Sequence, residues 1–382
     1  GRLFGEKIMS VQVSYKKQTI FGICILLIIF SSLEFGARFY EFFIQECRLE
    51  DAETLSDYDY FLKKHICYDQ QIIVYDNQPV FTISPNQHLK TININSDGFR
   101  GEEINPLKTN LDYRIVIIGG STVFGTGLSN DEQAFPSILN EKFQEKYDNV
   151  EVINAGIASI TSFEELYHIK EKIISLKPDM IIVYDGHNDG VYKKIIEPKI
   201  LNTDKDELQF KDFQKYLRTP VVIYRYILLP IINSDINNEL NLSTSEGGLI
   251  LNKKNIDEKI SNSIGTLWYE RMKEFCEISN DKKIESVVIL QPTLYHGNKP
   301  LSDYEKTILN ENKQGKEIFE ILNEKSQNLN NCSSVSDFSN VFDQITDGVY
   351  IDEAHLNYYG NKIIAEKIYE TILPMVLEDI SK

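Results

Sequence analysis

Ser121 ends the run Arg114-Ile-Val-Ile-Ile-Gly-Gly-Ser121, where a short apolar stretch gives way to a glycine turn. A serine placed there is a candidate nucleophile, because open α/β sheets bind ligands outside the carboxyl ends of their strands. A hydroxyl needs a base to activate it, and the carbonyl it attacks needs donors where its oxygen becomes anionic. Two later stretches supply such donors. Val150-Glu-Val-Ile-Asn-Ala-Gly156 ends on a glycine whose N–H can donate, and Asp179-Met-Ile-Ile-Val-Tyr-Asp-Gly-His-Asn188-Asp189 carries a carboxamide at Asn188. Of six histidines, His355 suits the role of base, since Asp352 lies three residues before it in a turn. A carboxylate beside an imidazole fixes its tautomer and stabilises the imidazolium formed when it takes a proton. The chemistry these residues can do is acyl transfer through a serine ester. Singly each has a plain structural role: Gly-Gly-Ser as a turn, Asn188-Asp189 as a helix cap, Asp352 and His355 as a surface cap pair. His187, next to Asn188, is a further candidate for facing the substrate.

These residues work together only if strand ends gather on one rim. From Arg114 the sequence alternates strand and helix patterns. Strands are expected at Arg114–Ile118, Val150–Asn154, Asp179–Tyr184 and Ser286–Gln291. Helices are expected at Asp131–Tyr147, Ser162–Ser175 and Ser263–Ile278, with a charged one over Asp303–Asn328 and a last one from Tyr358 to Leu377. Such alternation predicts an α/β fold with a parallel sheet covered by helices. Residues 192–262 interrupt the rhythm, with Pro220-Val-Val-Ile-Tyr-Arg-Tyr-Ile-Leu-Leu-Pro230 inside them. They read as a cap over the rim that also touches membrane, or as a surface excursion. Upstream, residues 44–90 read as a polar connection, and Asn95-Ser-Asp-Gly98 as a turn with positive φ at its end.

The order Gly-Gly-Ser121, Asn-Ala-Gly156, Gly-His-Asn188-Asp and Asp352-x-x-His355 resembles the four blocks of the SGNH (GDSL-type) hydrolases. Asn95-Ser-Asp-Gly-Phe-Arg100 resembles the lead-in of their membrane-anchored bacterial members. The resemblance implies a flavodoxin-like three-layer α/β/α sandwich. It assigns Ser121 as nucleophile, His355 as general base and acid, and Asp352 as the group that orients it. The Ser121 N–H, Gly156 N–H and Asn188 amide then form the oxyanion hole. One departure stands out: Gly120 occupies the position where the family usually has Asp. The G-x-S-x-G elbow of α/β-hydrolases is absent.

Composition narrows the rest. The chain has 382 residues, 42% hydrophobic and 11% aromatic, enough to bury a substantial core. A net charge of −17 excludes nucleic acid as the expected partner, because phosphate binding needs a basic face. Five scattered cysteines without C-x-x-C, and histidines without ligand spacing, predict no metal. No phosphate loop of the form G-x-x-x-x-G-K-[ST] occurs, so no cofactor is expected. Cys47, Cys67, Cys276 and Cys332 are either buried thiols or two bridges of undetermined pairing.

Ile20–Leu33 is a nearly unbroken apolar run, preceded by Lys7, Lys16 and Lys17 and continued by Phe35-Gly-Ala-Arg-Phe-Tyr-Glu-Phe-Phe43. It reads as a transmembrane anchor or a signal segment, with the N-terminus cytoplasmic and the bulk exported. The expected organisation is a cytoplasmic segment 1–18, an anchor 19–43, a lead-in 44–110 and a hydrolase-like domain 111–380 with the cap-like insert 192–262. The expected substrate is an acylated glycan or lipid of the cell envelope, taken by an esterase or an O-acyltransferase. The competing reading is an idle module of the same fold that binds polysaccharide or protein partners.

Overall fold

The runs richest in Ile and Val form the centre of the sheet, where both faces must be apolar. A computed structural model describes residues 14–192, 217–228, 242–251 and 258–381, except 48, 50, 51, 53, 54, 77–79, 81, 110, 246, 247 and 310–312. Its main sheet has five strands: β1 (Tyr113–Gly119), β2 (Val150–Gly156), β3 (Met180–Asp185), β4 (Glu285–Leu290) and β5 (Ser334–Asp337). All four pairings are parallel, in the order β5-β4-β3-β1-β2. This is the flavodoxin-like strand order, with the topological switch between β1 and β3.

The helices that matter to the site are α1 (Tyr15–Phe39), α2 (Tyr60–Ile72), α3 (Phe135–Gln144), α4 (Ser162–Glu171), α5 (Glu258–Lys282), α6 (Lys313–Ser326) and α7 (Tyr358–Ile380). Alternation along β1 divides the core. Ile115 and Ile117 pack with Phe135, Leu139 and Phe143 of α3 and with Ile364 and Ile368 of α7. Val116 and Ile118 face the opposite cluster with Ile169 of α4, Trp268 and Phe275 of α5, and Phe319 of α6. The layers are therefore α/β/α.

Several expectations shift in detail. The helix expected over Asp131–Tyr147 begins as a 3₁₀ turn at Asp131–Gln133 and restarts at Phe135, with Pro136 in its first turn; proline suits a helix start because it has no N–H to leave unpaired. Asp303–Asn328 divides into Asp303–Ile308 and α6, because Leu309 leaves the helical conformation with ψ of 96°. β5 was not expected: Ser-Val-Ser-Asp at a sheet edge lacks an apolar run. Nor was α2, which lies within the stretch read as a polar connection. Asp59 caps it, accepting from the N–H groups of Phe61 and Leu62. Of the insert 192–262, residues 193–216, 229–241, 246, 247 and 252–257 lie outside the described residues.

The cysteines pair as Cys47–Cys67 and Cys276–Cys332, with Cα–Cα distances of 5.8 and 4.9 Å; Cys24 is free and exposed. α1 continues through a π-helical turn to Ile44, and its side chains are largely exposed.

Candidate active site

The turn after β1 carries Ser121 at the start of one helical turn, Ser121–Phe124. The first N–H groups of a helical turn have no acceptor within it, so those of Ser121 and Thr122 are donors without an intrahelical partner. A buried arginine holds this turn in place. Arg100, only 3% exposed, donates through Nη1 to the carbonyls of Phe124 (3.0 Å) and Gly125 (2.7 Å). Its Nη2 donates to Thr91 and Asn130, and its Nε to Asp131 at 2.6 Å. Arg100 is presented by the tight segment before it. Asn95 Oδ1 accepts from Asp97 and Phe99, and Gly98 has φ of +77°, the left-handed value expected there.

His355 arrives from the loop before α7. Its Nε2 lies 2.7 Å from Ser121 Oγ, and its Nδ1 lies 2.7 Å from Asp352 Oδ2. Asp352 Oδ1 accepts from the N–H groups of Ala354 and His355, so the carboxylate is fixed on both oxygens. Burial opposes the charge on Asp352, but the His355 charge and these hydrogen bonds outweigh it and hold the carboxyl well below its ordinary range. For His355, burial pushes the imidazole down while the Asp352 charge and hydrogen bond push it up; the result is above the ordinary histidine value. The loop rests on Glu305, whose Oε1 accepts from Val349 and Tyr350 and whose Oε2 is 2.6 Å from Lys299.

The two other expected donors flank the switch between β1 and β3. Gly156 ends β2, where a Cβ would collide with the backbone of Phe124, so only glycine lets strand and serine turn approach this closely. Its N–H donates to Asn154 Oδ1 at 3.0 Å. Asn188 follows β3, and its Nδ2 donates to the Ile160 carbonyl at 2.6 Å, which leaves the second amide hydrogen for another acceptor. Gly120 now has a physical reason. A Cβ at Gly120 would collide with the Asn188 amide nitrogen, so the carboxamide occupies the space a side chain at 120 would need.

Asp189 locks the Asn188 segment to α4, accepting from Ser162 N at 2.9 Å and Ser162 Oγ at 2.6 Å. Beneath it, Asp185 Oδ2 accepts from Trp268 Nε1 at 2.9 Å. Burial and the neighbouring carboxylates push both Asp185 and Glu165 well above the ordinary acid range. His187 is half-buried with Nδ1 2.9 Å from the Tyr295 hydroxyl. Burial, helped by the His355 charge, pushes it down to about 4, so it stays neutral where His355 titrates. Among the described residues no group of His, Cys, Asp and Glu converges to hold a metal ion.

Thus Ser121, His355 and Asp352 form one hydrogen-bonded chain, with Gly156 and Asn188 on the strand ends beside it. Sequence reading did not identify Arg100 or Glu305 as supports. Arg100 contacts residues up to 31 positions away, a separation no local pattern reveals. Glu305 did carry a signal, since Ser302-x-x-Glu305 is a capping box.

A model of the family described as GDSL-like Lipase/Acylhydrolase matches residues 115–368, a span that contains all five candidate residues. Among solved structures, the acetyl xylan esterase AlAXEase is 15% identical, covering 68% of this chain and 99% of that one, with a TM-score of 0.41. A putative lipolytic protein of the G-D-S-L family from Desulfitobacterium hafniense DCB-2 is 15% identical, covering 68% and 99%, with a TM-score of 0.37. The psychrotrophic esterase EstA from Pseudoalteromonas sp. is 13% identical, covering 69% and 99%, with a TM-score of 0.39. A comparison with curated proteins finds no match.

Proposed function

Because this chain belongs to the GDSL-like lipase/acylhydrolase family, we propose that it is a membrane-tethered serine esterase or O-acyltransferase of a cell-envelope glycan or lipid. The observation that carries the reading is the chain of two 2.7 Å hydrogen bonds from Ser121 through His355 to Asp352. It favours a working catalyst over an idle binding module, because nothing in packing alone requires an imidazole to bridge a serine and an ionised carboxylate.

In the proposed reaction Ser121 Oγ attacks the ester carbonyl carbon as its proton passes to His355 Nε2. Negative charge on the carbonyl oxygen is met by the Ser121 N–H, the Asn188 amide and the Gly156 N–H once it turns from Asn154. The imidazolium, stabilised by Asp352, gives its proton to the departing alkoxide. Water or a sugar hydroxyl, deprotonated by the same imidazole, then attacks the acyl-serine, and the imidazolium returns its proton to Ser121 Oγ as that bond breaks. Which of the two arrives decides between esterase and transferase.

Anchoring is supported by the apolar α1 behind three lysines and by two disulfides, which fit an oxidising compartment. The lysines before the apolar run favour an N-terminus in the cytoplasm and a catalytic domain outside it. α1 is also paired with the insert, Arg218 and Thr219 binding Glu34 and Glu41, and its continuation is tied to α2 through Cys47–Cys67, which favours a retained anchor over a removed signal.

Ser121→Ala is expected to abolish labelling by a fluorophosphonate probe without changing the fold. Undiminished labelling of the variant removes Ser121 from the mechanism. Acetate release from p-nitrophenyl acetate without a glycan acceptor supports the esterase; release that requires the acceptor supports the transferase.

A further inference from the structure

The apolar run Ile20–Leu33 is fourteen residues, about 21 Å of helix, whereas a bilayer core of about 30 Å needs roughly twenty. The helix itself continues to Ile44, but this half carries Glu34, Arg38 and Glu41. The structure shows how those charges are handled. Arg218 donates to Glu41 in a bidentate pair, Nε to Oε2 at 2.7 Å and Nη2 to Oε1 at 2.6 Å, with side chains 4% and 0% exposed. Glu34 accepts from Arg38 Nε, from the N–H groups of Arg218 and Thr219, and from Thr219 Oγ1. Two acids and two arginines thus cancel between the packed elements. Ionisable side chains are tolerated in a membrane when they face a partner element and are paired.

The segment that brings Arg218 is largely apolar, with Arg225 its one other charged residue. Thr219–Ile223 is α-helical and continues as a π-helical turn over Tyr224–Leu228. It packs on α1, with the rings of Tyr40 and Tyr226 5.3 Å apart and the Tyr226 hydroxyl donating to Gln45. Val221 is buried in this packing, while Ile223, Tyr224, Ile227 and Leu228 are 43–54% exposed. On α1 and its continuation, Phe35, Phe39, Phe43 and Ile44 are 40–71% exposed, carrying on the belt begun by Ile20–Leu33. Soluble surfaces seldom leave so large an apolar face bare.

We propose that residues 219–228 are a second membrane-embedded element, which enters the leaflet on the catalytic side against the Glu34–Ile44 half of α1 and presents its apolar side chains to lipid acyl chains. The proposal rests on the anchoring read above and extends it. The occupant is lipid because the exposed belt is continuous with the span. The element is ten residues, about 15 Å of helix, which matches one leaflet. The described segment 217–228 of the insert that follows Asn188 in sequence is thereby fastened to the bilayer.

The test uses the full chain in phosphatidylcholine vesicles, with Cys24→Ser removing the free thiol. An NBD fluorophore is attached through Ile227→Cys, or through Ile28→Cys in the middle of the span as a control. Blue-shifted emission at 227 that is quenched by doxyl-labelled lipid supports the proposal. A 227 probe in water beside a quenched 28 probe overturns it and leaves the anchor intact; two unquenched probes overturn the anchor as well. A blue-shifted 227 probe that lipid quenchers do not reach means that protein covers the face, and also overturns it. Arg218→Met, which strands the Glu41 carboxylate, is expected to lose the quenching at 227. The double variant Glu41→Gln, Arg218→Met, which leaves the Glu34–Arg38 pair in place, is expected to restore it, and failure to do so removes charge cancellation as the cause.

Discussion

At the residue scale the decisive balance is at His355, where burial and the Asp352 carboxylate push in opposite directions and the carboxylate prevails. The base must be neutral to take the serine proton, so a raised imidazole moves the acid limb of the rate profile to higher pH. The kcat/KM of the wild type is therefore expected to rise through an ionisation above about 6.5, the ordinary histidine value. Asp352→Asn keeps the shape but removes the charge. Its limb is expected at lower pH than wild type, with a plateau lower by about 10²–10⁴-fold. A limb that stays in place would show that Asp352 is not the group setting the imidazole. His187 does not confuse the profile, since it is pushed down to about 4.

Arg100 shows what an element contributes: the lead-in turn exists to aim one guanidinium at the serine turn. Arg100→Lys keeps the charge yet cannot reach five acceptors from a single ammonium. Leaving several buried acceptors unpaired is expected to cost about 2–4 kcal/mol. It should lower kcat more than it raises KM, because the turn that holds the nucleophile loosens while the cleft remains. Denaturant unfolding and ester turnover measure the two effects, and a variant equal to wild type in both refutes the role. β1 to β4 were legible because strands buried on both faces must be apolar throughout. β5 was not, being a short polar edge strand, and α2 was obscured because Asp59, its cap, stands among other polar residues. Gly120 could be noticed as a departure but not explained, since its reason is the side chain of Asn188, 68 positions later in sequence.

On the scale of the molecule, the same limit separates what was legible from what was not. The apolar N-terminal helix, strands β1 to β4 and the five candidate site residues announce themselves by composition or order. The joint between that helix and residues 217–228 does not, because Glu41 and Arg218 are 177 positions apart. Cys276–Cys332 is a second long-range tie, closing a separation of 56 residues from α5 to the threshold of β5. Replacing both cysteines by serine is expected to destabilise the protein by about 2–4 kcal/mol, since the unfolded chain regains the freedom the loop had removed. Chemical denaturation under non-reducing conditions reads this directly. A double variant with unchanged stability argues against the bridge.

The hydrogen bond from Gly156 N–H to Asn154 Oδ1 has a further consequence. That carboxamide oxygen is a resident competitor for the proposed oxyanion donor. A neutral ester oxygen accepts more weakly than an amide oxygen and gains little by displacing it, whereas a fully formed alkoxide accepts far more strongly. The exchange therefore rewards the tetrahedral species over the bound ester, a built-in bias toward turnover rather than tight storage of substrate.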